Sequence, residues 1–141
     1  SQEWLDLFVA RMNQDEEFKR IAAGFEDRLI LHCKAAPEIH ESLKDGLRVY
    51  VEPYGGEVRE ARILQPGEEP EKEHEIEGEY LDWKKVLKGE LDVKRAVVIS
   101  RKLKVNGKVT RLLKHLKATE RILKVLNEMI DEGIYQFPDE V

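Results

Sequence analysis

The chain has 141 residues, enough for one domain, with 38% charged residues and a net charge of -5. One cysteine, Cys33, excludes an internal disulfide, and apolar runs of at most four residues fall far short of the roughly 20 needed to span a bilayer. Ser1 to Met12 carries acids and no basic segment followed by an apolar one, so no secretory leader is expected and the expected location is cytoplasmic.

Trp4, Leu5, Phe8, Val9 and Met12 form one stripe of a first helix. Asp15 suits the cap of a short second helix through Phe18, Ile21 and Ala22, with Gly24 placed to end it. The period then changes to two. Phe25, Leu29, Leu31 and Cys33 share one face of a strand, and Leu47, Val49 and Val51 repeat the pattern. The turn Pro53-Tyr54-Gly55-Gly56-Glu57 joins that strand to Val58–Leu64, which makes a hairpin. A polar loop from Gln65 to Glu73 precedes a fourth strand, His74 to Glu79, whose alternate glutamates predict a water-facing side.

Tyr80, Trp83, Val86 and Leu87 mark a helix closed by Gly89, and Asp92 suits the cap of a short helical segment over Leu91 to Ile99. Arg101 to Val105 alternates again, up to the turn at Asn106-Gly107. Leu112 to Ile130 is helical, with a break expected at Ala118-Thr119-Glu120 and Thr119 as a cap. Strands grouped together with helices at both ends indicate an α+β domain over residues 1–141, an antiparallel-rich sheet with helices on one face.

The reactive residues do not assemble. Four histidines (His32, His40, His74, His115) and one cysteine give no zinc motif, and His32 and Cys33 point to opposite faces of one strand. Glu38, His40 and Glu41 could form a small acid-base site. No nucleophile elbow or glycine-rich phosphate loop is present. The expectation is therefore no catalytic residue, no metal and no cofactor.

Charge is unevenly spread. Residues 94–124 carry 11 Lys or Arg against one acid, on a chain that is acidic elsewhere. Such a block either solvates a helix face or attracts anions, which leaves a nucleic-acid or acidic-partner module open as an alternative. Against nucleic acid, aromatics do not interleave with the cations. The broad apolar stripes of the last helical region, among them Leu112, Leu113, Leu116, Ile122, Leu123 and Leu126, suit either an ordinary core or the wall of a hollow.

Tyr80 to Leu116 resembles the C-terminal half of the sterol carrier protein 2 family. The matching features are Trp83, Leu87, Gly89, Leu91, Asp92, Ala96 and the run Lys102-Leu103-Lys104-Val105-Asn106-Gly107. The sequence departs from the family where Ser100-Arg101 stands in place of a glycine before Lys102, and where Val49 and Tyr50 replace a tryptophan of the second strand. The resemblance implies a five-stranded, mostly antiparallel sheet covered by helices from both ends of the chain. It also implies an apolar tunnel that carries a fatty acid, fatty acyl-CoA, phospholipid or sterol-like lipid without covalent chemistry. On that reading Trp83, Val86, Leu87, Val97, Val98, Leu103, Val105, Leu112, Leu113, Leu116, Leu123 and Leu126 line the tunnel. Lys102, Lys104, Lys108, Arg111, Lys114 and Lys117 steer an anionic head group. The expected partners are an apolar small molecule, a transient anionic membrane surface and a second copy of the chain, and not nucleic acid.

Overall fold

The structure, a computed structural model, describes residues 1–141. Helix α1 (Gln2–Asn13) starts at Ser1, whose hydroxyl accepts from the Trp4 N–H, and it buries Leu5, Phe8 and Met12. Asp15 caps α2 (Glu16–Ile21) by accepting from the Phe18 N–H at 2.8 Å. The same carboxylate takes Arg121 at 2.6 Å, so one acid both starts a helix and ties it to the C-terminal helix. Helix α2 ends at Ala22, two residues before the expected glycine.

Strands β1 (Leu29–Cys33), β2 (Leu47–Tyr54), β3 (Glu57–Ile63), β4 (His74–Gly78) and β5 (Leu103–Gly107) form one sheet in the order β3-β2-β1-β4-β5. The β1–β4 ladder is parallel and the other three are antiparallel. The β2–β3 turn is two residues long, with Gly55 at φ 59° and Gly56 at φ 81°. Positive φ at both positions gives a twist that matches the flanking strands. The first strand is shorter than the alternation predicts. Phe25 turns inward to stack near His115, with ring centroids 4.9 Å apart, and Asp27 is drawn into a buried ion cluster, so pairing begins only at Leu29.

Register sorts the two faces. Leu29 sits opposite Val51 and His74, Leu31 opposite Val49 and Ile76, and Cys33 opposite Leu47 and Gly78. These side chains form the inner face. Helix α1 packs there, with α3 (Tyr80–Leu87) and α6 (Leu116–Asp131). The outer face carries Arg48, Tyr50, His32, Glu75 and Glu77. Its acids are not simply solvated. Glu75 meets Arg48 at 3.0 Å and His32 at 2.9 Å, and Glu77 meets Lys34 at 3.5 Å.

Asp92 caps α4 (Val93–Val98) through the Arg95 N–H at 3.0 Å. The break in the last helical region falls at His115, between α5 (Val109–Lys114) and α6, and not at Ala118-Thr119-Glu120. Thr119 lies inside α6, where its hydroxyl donates to the His115 carbonyl at 3.2 Å. A threonine that bonds back one turn needs no helix start. Arg101 takes φ 57°, the one non-glycine residue with positive φ. This is the step where the resemblance led one to expect glycine.

Candidate functional site

A hollow of about 200 Å³ lies between the inner face of the sheet and the helices. Its wall combines Trp4, Leu5 and Phe8 of α1 with Leu31, Cys33, Val49, Val51 and Ile63 of the strands. Tyr80, Trp83, Lys84 and Leu87 of α3 add to it, as do Leu123, Leu126 and Ile130 of α6. Tyr135 and Phe137 close it from the C-terminal segment. Of 20 lining residues, only Ser1 and Lys84 are not hydrophobic. The exposed Ser1 and Leu47 mark where the hollow reaches the surface.

Trp83 is seated by backbone geometry. Its indole N–H donates to the His32 carbonyl at 2.9 Å. Gly78 leaves room beside it: a Cβ there would come within 3.3 Å of the indole nitrogen and 2.5 Å of Leu103 Cδ2. Cys33 lies in the wall, and burial, helped by the charge of Glu79, pushes its thiol up to about 11. The thiol therefore stays protonated at neutral pH and is a poor nucleophile.

The C-terminal segment forms a strap. Tyr135 packs on Trp4 with ring centroids 5.0 Å apart, and Phe137 meets Tyr135 edge-on at 5.5 Å. A final 3-10 turn, Pro138–Glu140, then brings two acids to α3. Lys84 Nζ donates to Asp139 at 2.8 Å and lies 2.6 Å from Glu140, while Lys88 donates to Glu140 at 2.7 Å. The Tyr80 hydroxyl donates to Asp139 at 2.5 Å. Lys84 holds the carboxyls of both Asp139 and Glu140 below their ordinary range, and those acids raise Lys84 in turn. Burial, reinforced by Asp139, pushes the Tyr80 phenol up.

Of the twelve residues predicted to line a tunnel, the structure brings Trp83, Leu87, Leu123 and Leu126 to the hollow. The other eight lie elsewhere. Val86 and Leu123 border a second, more polar groove with Asp92, Lys124 and Asn127. Leu103 and Leu112 are buried in the packed core, and Val97, Val105 and Leu116 pack against it. Leu113 is half-buried outside the wall, and Val98 is exposed. The N-terminal helix, the strand residues and the strap were missed. Their apolar alternation was visible, but not the fact that it faces a void.

Of the six predicted cations, Arg111 is engaged: it grips Asp27 with both Nε and Nη2, at 2.9 and 2.6 Å, and His74 closes the cluster at 2.8 Å. Burial alone would raise the Asp27 carboxyl, but Arg111 and His74 outweigh it and hold it below the ordinary range. Lys102 lies 4.0 Å from Asp82, and Lys104, Lys108, Lys114 and Lys117 have no acid within that distance. His40 lies outside the hollow and is exposed; its Nδ1 accepts from the Ser42 N–H at 3.1 Å. Neither Glu38 nor Glu41 bonds to it, so the acid-base trio is not assembled. His32, Glu75 and Glu77 do gather ligand-type atoms within 4.8 Å of one another, but Arg48 and Lys34 already occupy the remaining carboxylate oxygens.

With this sheet order and helices from both ends of the chain packed on the sheet, the chain has the sterol carrier protein 2 fold. A crystal structure of sterol carrier protein 2 matches with a TM-score of 0.79 and 24% identity, covering 89% of this chain and 95% of that one. A conserved hypothetical protein from Thermus thermophilus, described as a possible sterol carrier protein, matches with a TM-score of 0.78 and 23% identity, over 91% and 87%. Apo sterol carrier protein 2 from Yarrowia lipolytica is similar at a TM-score of 0.54 and 15% identity, over 86% and 88%. No family model and no curated protein sequence matches the chain.

Proposed function

We propose that residues 1–141 act as one carrier unit that holds the chain of a fatty acid or fatty acyl group in the hollow, without covalent chemistry. The observation that carries this reading is the wall itself, apolar throughout except for Ser1 and Lys84. Trp83, Leu87, Leu123 and Leu126 touch the chain, and Lys84, the one cation in the wall, meets an anionic head group that displaces Asp139 or Glu140 from it. The similar structures, sterol carrier proteins among them, support a lipid in this fold.

Size decides what fits. At about 200 Å³ the hollow is below the roughly 300–1,000 Å³ of sites that enclose drug-sized ligands. It accommodates a single short acyl segment, on the order of seven groups of ~30 Å³, and not a sterol or a two-chain lipid in the strapped state. At about 0.8 kcal/mol per methylene such a segment gains roughly 6 kcal/mol before association costs, against roughly 11 for a 14-carbon chain. Long chains therefore bind well only if the strap yields.

Titration with a fluorescent fatty acid, read by quenching of Trp4 and Trp83, should show saturable one-to-one binding. Unlabelled fatty acids should then compete more strongly as their chains lengthen up to what the hollow holds, and beyond that only as far as the strap yields. Absence of saturable binding of a 14-carbon fatty acid at tens of micromolar would reject the reading, since its gross gain of roughly 11 kcal/mol leaves about that affinity after an association cost of about 5 kcal/mol.

A further inference from the structure

The apolar residues that end α4 are not used by the hollow. Val98 and Ile99 are 44% and 65% exposed, and neither lines the cavity. Lys94, Arg95, Arg101 and Lys102 surround them in the chain, and of these only Lys102 has an acid within 4.0 Å. The outer sheet face is different: there Arg28, Arg48 and Arg62 each meet two carboxylates. The corner between α4 and β5 is thus a place where positive charge is left open around a branched aliphatic pair. Arg101 is strained as well as exposed, because it holds φ 57°, a conformation that L side chains avoid.

We infer that the α4–β5 corner docks on an anionic lipid bilayer. Val98 and Ile99 enter the boundary between head groups and acyl chains, and Lys94, Arg95 and Arg101 face the lipid phosphates. Exposed aliphatics ringed by Lys and Arg are the composition of a surface that rests on a membrane. Nucleic acid fits less well, because no Phe, Tyr or Trp lies between Trp83 and Tyr135 to stack on bases, and a phosphate backbone gives Ile99 nothing to bury against. The surface is separate from the hollow, so this inference goes beyond the carrier reading and is tested without any cavity ligand.

The test is co-sedimentation of the full chain with two kinds of vesicle, phosphatidylcholine alone and phosphatidylcholine with one third phosphatidylglycerol. Wild type should bind the anionic vesicles at low salt at least tenfold more tightly than the neutral ones, and should lose binding as salt rises. Ile99→Ser should weaken it about tenfold, the lower bound for exposing a buried isoleucine. Arg101→Gly should weaken it about fivefold, the share of one cation near an anionic leaflet, while the variant melts no lower than wild type. That pairing separates docking from folding. The inference is overturned if anionic vesicles do not pull down the wild type, or if neutral vesicles bind it equally. It is overturned as well if both variants bind like wild type, or if short duplex DNA displaces the protein from the vesicles.

Discussion

Arg101 and Asp27 show how much a single position can hold. Arg101 adopts a left-handed backbone that costs a non-glycine residue roughly 1–2 kcal/mol, part of which glycine would return as lost chain entropy. Arg101→Gly should raise the thermal midpoint by about 2–4 °C, measured by circular dichroism. Asp27 is buried between Arg111 and His74. Asp27→Ala would strand the buried His74 and free Arg111, and it should cost about 3 kcal/mol in denaturant unfolding, the low end for a broken buried pair because Arg111 is half-exposed. Its carboxyl is held below the ordinary value of 3.8. The stabilisation is therefore complete above that value and disappears as the pH falls through the lowered one.

Among the elements, the strap is the part whose behaviour depends most on conditions. Tyr135 and Phe137 cover one side of the hollow, yet the tip is fastened by Asp139 and Glu140 to Lys84 and Lys88. Both carboxyls are lowered from ordinary values of 3.8 and 4.5, so the fastening is present above those values and fails as the pH drops through the lowered ones. Tryptophan emission should shift in strong acid as Tyr135 leaves Trp4, before the sheet unfolds. Lys84→Gln should produce a looser strap at neutral pH, seen as faster release of a bound fluorescent fatty acid. An unchanged release rate would show that the aromatic contacts alone hold the strap.

Elements were also where the sequence was most readable. The Tyr54-Gly55-Gly56 turn, the Asp92 cap and the alternation around Leu31 and Val49 are local signals, set by neighbours a few residues away. The strap is fastened to a distant partner, Lys84, and the His115 ring lies against distant Phe25, contacts that no local pattern announces. The same limit explains the wall of the hollow. The breadth of the α6 stripe draws attention to Leu123 and Leu126, which border the hollow, but only the folded sheet reveals that Trp4 and Phe8, more than a hundred residues away, stand opposite. Val98 faces solvent, and an apolar run of four does not say which of its members turns outward.

At the scale of the whole molecule, three features coexist: a charged, ion-paired outer sheet face, an inner face that stops short of its helices, and a basic corner set apart from both. The volume left between sheet and helices is what separates a carrier from an ordinary packed domain. That volume can be removed without touching the surface, by Leu126→Trp, which fills the hollow from α6. The decisive measurement is a parallel titration of wild type and Leu126→Trp with the same fluorescent fatty acid, with folding of both checked by circular dichroism. The account predicts saturable one-to-one binding by the wild type and at least a tenfold loss in the filled variant. Equal binding by two equally folded proteins would place the lipid elsewhere and contradict it.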